Sequence, residues 1–363
     1  MSVYQIPEEY FFRIHHCRPR FKGNVENVLI YIATEITRIG DAPKDEFNNS
    51  LNNAIKCFPG NSTLALKTVN NWRTEISSLF GLFYEDENHY NHAMLRAKEL
   101  AEHNDLVEFF KLFLYYFQYP GAHIKSRDVL EQIEAGIHFK PTQYILKLLK
   151  TAEENTGKRC GITKEEACYC IFNDLRCTRD NEDVVITWQR IQRNRDLEIE
   201  YVADGDVTRY AGDILDYMQH ANLLVSYNNK EFFINHSENE AILKYINSTE
   251  WFSEYDTMIA NRSGTIQDVN DCRCDWFRYV NREAGETDFA TDITSFFAVE
   301  SEIPTEPESK MQLFAAYMEK LKSLESLKTK DIGDIGESLV HGHECQRLKI
   351  GGREDLVHLV VKI

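Results

Sequence analysis

Apolar residues recur at the spacing of an α-helix through most of the first 155 residues of the chain. The stretch NVENVLIYIATEITRI (24–39) predicts one amphipathic helix, EFNNSLNNAIKCF (46–58) a second and LALKTVNNWRTEISSLFGLF (64–83) a third. Gly81 is a stop signal near the end of the third helix. Three short helices separated by a break and a turn are the outline of a helix-turn-helix unit.

The helical pattern continues from residue 92 up to a Tyr-Pro-Gly breaker at 119–121 and again through 141–155. A second outline of the same kind begins at ITKEEACYCIFNDL (162–175). Thr163 and Glu166 there have the spacing of a capping box. A predicted helix over 208–221 runs directly into LLVSYNNKEFFIN (223–235), which predicts a β-hairpin around its two central asparagines. A helix followed at once by a hairpin is the order of the last helix and the wing in a winged helix.

These patterns predict a mainly α fold with tandem winged-helix (helix-turn-helix) subdomains, small β-hairpin wings and the truncated start of a further α/β domain. We expect an N-terminal arm (residues 1–25) and a first subdomain within 1–154, and a second subdomain over 155–254. Residues 255–325 are expected to form an acidic connector and a helix, and 326–363 the beginning of a further domain that ends within an apolar strand. Truncation is the simpler account of that ending.

The charge changes this picture only locally. The chain of 363 residues has 58 acidic and 41 basic side chains, for a net charge of −17, yet residues 281–310 hold eight acids against two bases. The arm instead carries Arg13, Arg18, Arg20 and Lys22. A DNA-binding face is therefore expected to be restricted rather than excluded. With no long apolar run and no signal-peptide pattern, the sequence predicts a soluble, cytoplasmic protein without a membrane partner.

Cysteine spacing favours reduced thiols over metal ligands. Nine cysteines include two C-x-C pairs but no C-x-x-C pair. Cys168 and Cys170 fall on a predicted helix, where positions two apart point in different directions. Zinc binding by some of them stays the weaker alternative, and His341 with Cys345 would supply only two ligands. We therefore predict no metal site in these segments.

Three segments carry a resemblance to a known family. NNWRTEISSLFGLFYEDENHY, FFKLFLYYFQYP and ITKEEACYCIFNDL resemble the N-terminal recognition region of BpuJI-type restriction endonucleases, and the tail from residue 330 resembles the entry helix of a PD-(D/E)XK nuclease domain. The resemblance covers roughly 10–235 and 330–363 and implies two winged-helix subdomains that recognise double-stranded DNA. It also implies a parent enzyme of type II, of the type IIS kind, that cuts DNA with Mg²⁺ and can dimerise through its nuclease domain.

The sequence departs from this family where the chemistry would lie. Such nucleases hold Mg²⁺ with an Asp and a Glu-x-Lys on strands that follow the entry helix. Those residues are absent up to Ile363, and Glu337 alone matches a helix glutamate that assists the metal site. We expect this chain by itself to need no cofactor and to be inactive as a nuclease.

Residue type and position predict the groups that would touch DNA. Arginine can grip guanine and asparagine adenine through paired hydrogen bonds, and Lys or Arg neutralise phosphates. The candidates lie on the arm, on the polar face of the third predicted helix, at the start of the helix before the second hairpin and on that hairpin: Arg13, Arg18, Arg20, Lys22, Lys67, Asn70, Asn71, Arg73, Thr74, Thr208, Arg209, Tyr210, Asn229 and Lys230. Phe11, Phe12 and Phe21 are expected to pin the arm.

Other interpretations of the same residues stay open. The arm could be a frayed terminus and the polar face an ordinary solvated surface. Arg190, Arg193 and Arg195 form a third basic patch that either contacts DNA or pairs with Asp196 and Glu198. For the whole chain, the rival hypotheses are a winged-helix module that binds protein, for which the acidic charge is natural, and a complete enzyme of unknown type.

Overall fold

The computed structural model describes residues 3–16, 25–202, 207–226 and 230–282. In that part of the chain helices dominate and the strands form small antiparallel sheets, so the prediction of a mainly α fold is confirmed. The predicted nuclease-domain start, including Glu337, lies outside the described residues. None of the described helices has the length and apolar character required to cross a membrane.

The first unit of the fold alternates helices with a small sheet. Its elements are α1 (Val25–Ile39), β1 (Ala42–Pro43), α2 (Lys44–Cys57), α3 (Leu66–Asn71), a π-helical turn (Trp72–Ile76), α4 (Ser77–Phe80), β2 (Phe83–Glu85) and β3 (Tyr90–Ala93). The strands are ordered β1-β3-β2, with Ala42 opposite Asn91 and Phe83 opposite Ala93. The sheet therefore joins the start of α2 to a hairpin that follows α4.

Local sequence explains these elements. The buried side chains of α1 repeat every three to four residues, and those of α2 do the same. Gly81 ends α4 with a φ of 63°, as its stop signal predicts, and a Cβ there would lie 2.9 Å from Asn281 Nδ2. The hairpin β2–β3 was not predicted from the sequence.

A helical layer links the first unit to the second. It consists of α5 (Leu95–His103), α6 (Leu106–Tyr116), α7 (Ser126–Glu134) and α8 (Pro141–Thr156). The uninterrupted helix predicted from residue 92 up to the breaker at 119–121 is wrong, because Asn104 adopts a left-handed φ of 53° between α5 and α6 and Asp105 caps α6. The aromatic side chains of α6 are buried, and the rings of Phe110 and Phe113 pack against Tyr217.

The second unit repeats the order of strand, helices and hairpin. It comprises β4 (Gly161–Thr163), α9 (Lys164–Ala167), a π-helical turn (Cys168–Phe172), α10 (Leu175–Thr178), α11 (Val184–Asp196), α12 (Val207–His220), β5 (Leu224–Ser226) and β6 (Glu231–Ile234). The strand order is β4-β6-β5, with Ile162 opposite Phe232. The predicted helix over 208–221, the antiparallel strand pair after it and the Thr163–Glu166 capping box are all observed.

Residues 253–280 form packed helices, whereas an acidic connector was predicted from residue 255. They form a short 3₁₀ helix and α14 (Asp256–Asn261), α15 (Ile266–Asp271) and α16 (Arg273–Val280), after α13 (Asn239–Ile246). Tyr255 and Trp276 are buried, and a Cβ on Gly121 would lie 2.5 Å from the Trp276 ring. Arg96 is buried too, and its guanidinium donates to the carbonyls of Phe80 and Val280. The expected connector is therefore packed against the helical layer and the first unit as far as Asn281.

The core continues across the predicted boundary at residue 154. That boundary falls in the last turn of α8, and buried apolar residues on both sides of it belong to one cluster. Lys111 on α6 and Glu238 in the 3₁₀ turn before α13 form an ion pair of 2.8 Å whose side chains are each 1% exposed. The boundaries at 325 and 326 lie outside the described residues.

We expect buried His123 to make the fold less stable in acid. Both ring nitrogens of His123 are buried without a hydrogen-bond partner in the described part of the chain, among the rings of Phe117, Tyr119 and Trp276. Burial, then the neighbouring His16 and Arg273, lower the pKa of His123 well below its usual value. The unfolded chain therefore binds a proton below about pH 6.5 that the folded chain rejects.

We expect the free energy of unfolding to fall by up to about 1.4 kcal/mol per pH unit below about pH 6.5 from this group. Urea unfolding at pH 7.5 and 5.5 measures the loss, and His123→Leu should reduce it. His92 acts in the opposite direction, because its ion pair with Asp41 raises its pKa. The contribution of His92 is the same in both proteins, so it cancels when the variant is compared with the unsubstituted protein. A pH slope unchanged by His123→Leu would contradict the prediction.

Candidate nucleic-acid interface

The described part of the arm lies along the second unit. The Tyr4 amide donates to the Glu200 carbonyl at 2.7 Å and the Phe12 amide to the Asn173 carbonyl at 3.0 Å. Gln132 on α7 donates its Nε2 to the carbonyl of His15 at 2.8 Å. These backbone contacts fix the arm up to residue 16, so a frayed terminus does not describe residues 3–16.

Arg13 joins the arm to the start of α12. Its Nη2 donates to the hydroxyl of Tyr210 at 3.2 Å, and its guanidinium carbon lies 5.3 Å from the centre of the Tyr210 ring. Two of the predicted segments thus meet directly. Tyr210 is half-buried, and Thr208 is half-buried beside the exposed Arg209 in the first turn of the same helix.

The basic centre of the arm follows a buried anchor. His16 is 9% exposed, and its Nδ1 lies 2.9 Å from the hydroxyl of Tyr119. Arg18, Arg20, Lys22 and the predicted anchor Phe21 lie outside the described residues, between His16 and the start of α1 at Val25. Phe12 packs against the core as predicted, whereas Phe11 is 50% exposed.

The polar face of α3 and the π-helical turn is present, with its members in two environments. Lys67, Asn71 and Thr74 are exposed, and their spacings of four and three residues place them on one stripe of the helix. Asn70 and Arg73 are half-buried. On the opposite side Val69 and Ile76 are buried, whereas Leu66, the first residue of α3, is 59% exposed.

Asn52 on α2 connects the two half-buried members. Arg73 Nη1 donates to Asn52 Oδ1 at 2.9 Å, and Asn52 Nδ2 donates to Asn70 Oδ1 at 3.2 Å. Desolvation by burial lowers the pKa of Arg73 from its usual value, although an arginine remains charged at neutral pH. Sequence patterns missed Asn52, because it lies on a different helix from the side chains that it contacts.

The third basic patch is largely engaged in ion pairs. Arg190 contacts Glu182 at 2.6 Å, and Arg195 contacts Glu166 at 2.6 Å and Glu231 at 3.3 Å. The partners predicted for the patch, Asp196 and Glu198, were wrong. Arg193 is exposed. Lys230 on the second hairpin is also exposed, and Asn229 lies outside the described residues.

The cysteines of the second unit are core thiols. Cys168, Cys170 and Cys177 are buried, and burial raises the pKa of Cys170 to about 12. A thiol that stays protonated is a poor metal ligand. Among the described residues, His15, Asp128 and Glu131 have ligand atoms close enough to share an ion. His15 Nε2 and Glu131 Oε2 are 3.2 Å apart and half-exposed, which an ordinary ion pair explains.

Fold and side chains together define a class of protein: a mainly helical chain of two strand–helix–hairpin units, with an arm fixed across the second unit and polar residues of the first unit held by a helix–helix bridge. The model of the family described as the N terminal of restriction endonuclease BpuJI matches residues 4–277. The chain belongs to that family.

A solved structure gives the same result. It is described as pyrene- and phenanthrene-modified DNA in complex with the BpuJ1 endonuclease binding domain, and its protein is 25% identical to this chain with a TM-score of 0.66. The similarity covers 77% of this chain and 100% of that chain. A comparison with curated proteins finds no match.

Proposed function

We propose that this chain recognises a specific sequence in double-stranded DNA as part of a restriction endonuclease. Membership in the BpuJI N-terminal family supports the proposal, as does the DNA in the similar complex. The observation that carries it in this chain is the contact between Arg13 and Tyr210, which brings the basic arm to the first turn of α12. A fixed arm beside a helix start suits phosphate contact and groove insertion.

We further propose that each unit acts as a winged helix. In the first unit α3 with its π-helical turn would be the recognition helix and β2–β3 the wing; in the second unit α12 and β5–β6 would take these roles. The matching strand orders, β1-β3-β2 and β4-β6-β5, support the same assignment for both. Lys67, Asn71, Thr74, Arg209 and Lys230 would then reach DNA directly.

The parent enzyme is proposed to be a type II endonuclease, of the type IIS kind, that cuts DNA with Mg²⁺ in a separate domain. The acidic net charge keeps a protein-binding module as the rival function. The two functions differ in their dependence on salt, because only contacts to phosphates release bound counterions.

We expect duplex DNA to bind without metal and more weakly as salt rises. A bound duplex should first be selected from a random library at low salt, and fluorescence anisotropy then measures its affinity and that of a random duplex between about 50 and 200 mM salt. The selected duplex should bind more tightly at every concentration, with log K falling linearly against log salt. Equal affinity for both duplexes would contradict recognition of a specific sequence, and affinity that salt does not change would favour the rival.

A further inference from the structure

Asn52 has a role that its position on α2 does not suggest. We propose that Asn52 is a positioning residue that sets the sequence preference of the first unit by fixing the side chains of Arg73 and Asn70. The inference rests on the proposed function, because it concerns which base edges these two side chains meet. Asn52 itself is half-buried and lies on α2, whereas the exposed stripe lies on α3 and the π-helical turn.

The hydrogen bonds determine how the Asn52 amide points. A guanidinium can only donate, so the atom of Asn52 that lies 2.9 Å from Arg73 Nη1 must be the oxygen. The Nδ2 group of Asn52 is then directed at Asn70, 3.2 Å away, where it can only donate to Oδ1. Arg73 therefore settles the orientation of Asn52, and Asn52 settles that of Asn70.

This chain of contacts decides what Asn70 and Arg73 offer to a ligand. With Oδ1 of Asn70 turned to Asn52, its Nδ2 donor is directed away and can meet an acceptor such as a purine N7. The bond to Arg73 uses Nη1, which leaves the Nε–Nη2 edge of the guanidinium for a paired contact with guanine O6 and N7. Thr74 reinforces the site by donating its hydroxyl to the Asn70 carbonyl at 2.8 Å.

Exchanging the amide of Asn52 for a carboxylate tests whether Asn52 sets the orientation of Asn70. Asn52→Asp keeps an acceptor for Arg73 but has no donor for Asn70. The Asn70 amide should then turn its Nδ2 toward Asp, so that its oxygen faces outward. We expect selection from a random library to change preference at one base pair, away from an acceptor edge and toward a donor edge such as cytosine N4 or adenine N6.

Asn52→Ala removes both bonds and should lower the ratio of affinities for the selected and random duplexes by roughly tenfold. The double variant Asn52→Ala with Arg73→Ala should lose little more than Arg73→Ala alone, because without Arg73 nothing orients the Asn52 amide toward Asn70. Asn53 is the exposed neighbour on α2, so Asn53→Ala and Asn53→Asp serve as matched controls for helix propensity and charge.

The outcomes separate this inference from the proposed function. If the unsubstituted chain binds the selected duplex preferentially but Asn52→Ala keeps the same ratio, the inference fails and the function stands. If Asn52→Asp and Asn53→Asp change affinity alike and leave base preference intact, only charge matters and the inference fails. If the unsubstituted chain shows no preference at all, the proposed function fails first. Melting temperatures of all variants, measured in parallel, identify any loss that comes from unfolding.

Discussion

Lys111→Met is expected to lower the free energy of unfolding by about 3–5 kcal/mol, the largest single-residue effect that we expect in the described chain. Lys111 Nζ lies 2.8 Å from Glu238 Oε2, and both side chains are removed from water. Methionine fills most of the space of the lysine but leaves the Glu238 carboxylate buried without its cation. The ion pair then no longer offsets the desolvation cost of the carboxylate.

Urea denaturation, with the m-value fitted, measures this loss. Removing the second charge as well, in Lys111→Met with Glu238→Leu, should restore most of the stability, because the penalty comes from burying the carboxylate without its lysine rather than from the absent ion pair. Lys150→Met is the matched control: Lys150 pairs with Glu154 on the surface of α8, and its loss should change stability by less than about 0.5 kcal/mol. Equal losses in the two single variants would contradict the prediction.

The Lys111–Glu238 pair also indicates why the sequence pattern could not locate a domain boundary in this fold. Lys111 and Glu238 are 127 positions apart, and α8, which contains the predicted boundary, contributes buried residues to the shared core. A change to polar composition usually indicates a linker between domains. Here the core continues from one unit to the next, so no polar segment separates them in the sequence.

Elements with a sustained period were predictable, and short elements were not. The fifteen-residue α1 and the strand pair after α12 follow from spacing and turn residues alone. The helices between 253 and 280 have six to eight residues each, or three for the 3₁₀ turn, too few for a period to emerge from a polar background. Their order instead comes from burial of Tyr255 and Trp276 against elements distant in sequence.

The candidate site divides in the same way. Spacing on one helix correctly placed Lys67, Asn71 and Thr74 on an exposed stripe. It could not foresee which polar residues bind partners elsewhere in the chain: Arg195 is engaged by Glu231 and Arg73 by Asn52, both from other elements. Such contacts depend on tertiary packing, and a single sequence contains no periodic signal for them.

Removing the charges of the arm is expected to have the largest effect on DNA binding. Arg18, Arg20 and Lys22 come two to six residues after His16 in the sequence, and the ring of His16 is buried against Tyr119. If all three cations contact phosphates, changing them to alanine forgoes the release of about three counterions. Affinity for any duplex should then fall on the order of a hundredfold at about 150 mM salt, and the slope of log K against log salt should become shallower by roughly 2–3.

Fluorescence anisotropy over a salt series measures both quantities, with selected and random duplexes compared. The control removes three cations that are already paired with carboxylates, Arg38, Lys150 and Arg179, and should leave the slope nearly unchanged. A loss confined to the selected duplex would mean that an arm side chain also contacts a base edge, since phosphate contacts weaken all duplexes alike. A slope unaltered by the arm substitutions would instead place the electrostatic contacts on the helices and the second hairpin, at Lys67, Arg209 and Lys230, and would leave the segment from Arg18 to Lys22 without a part in binding.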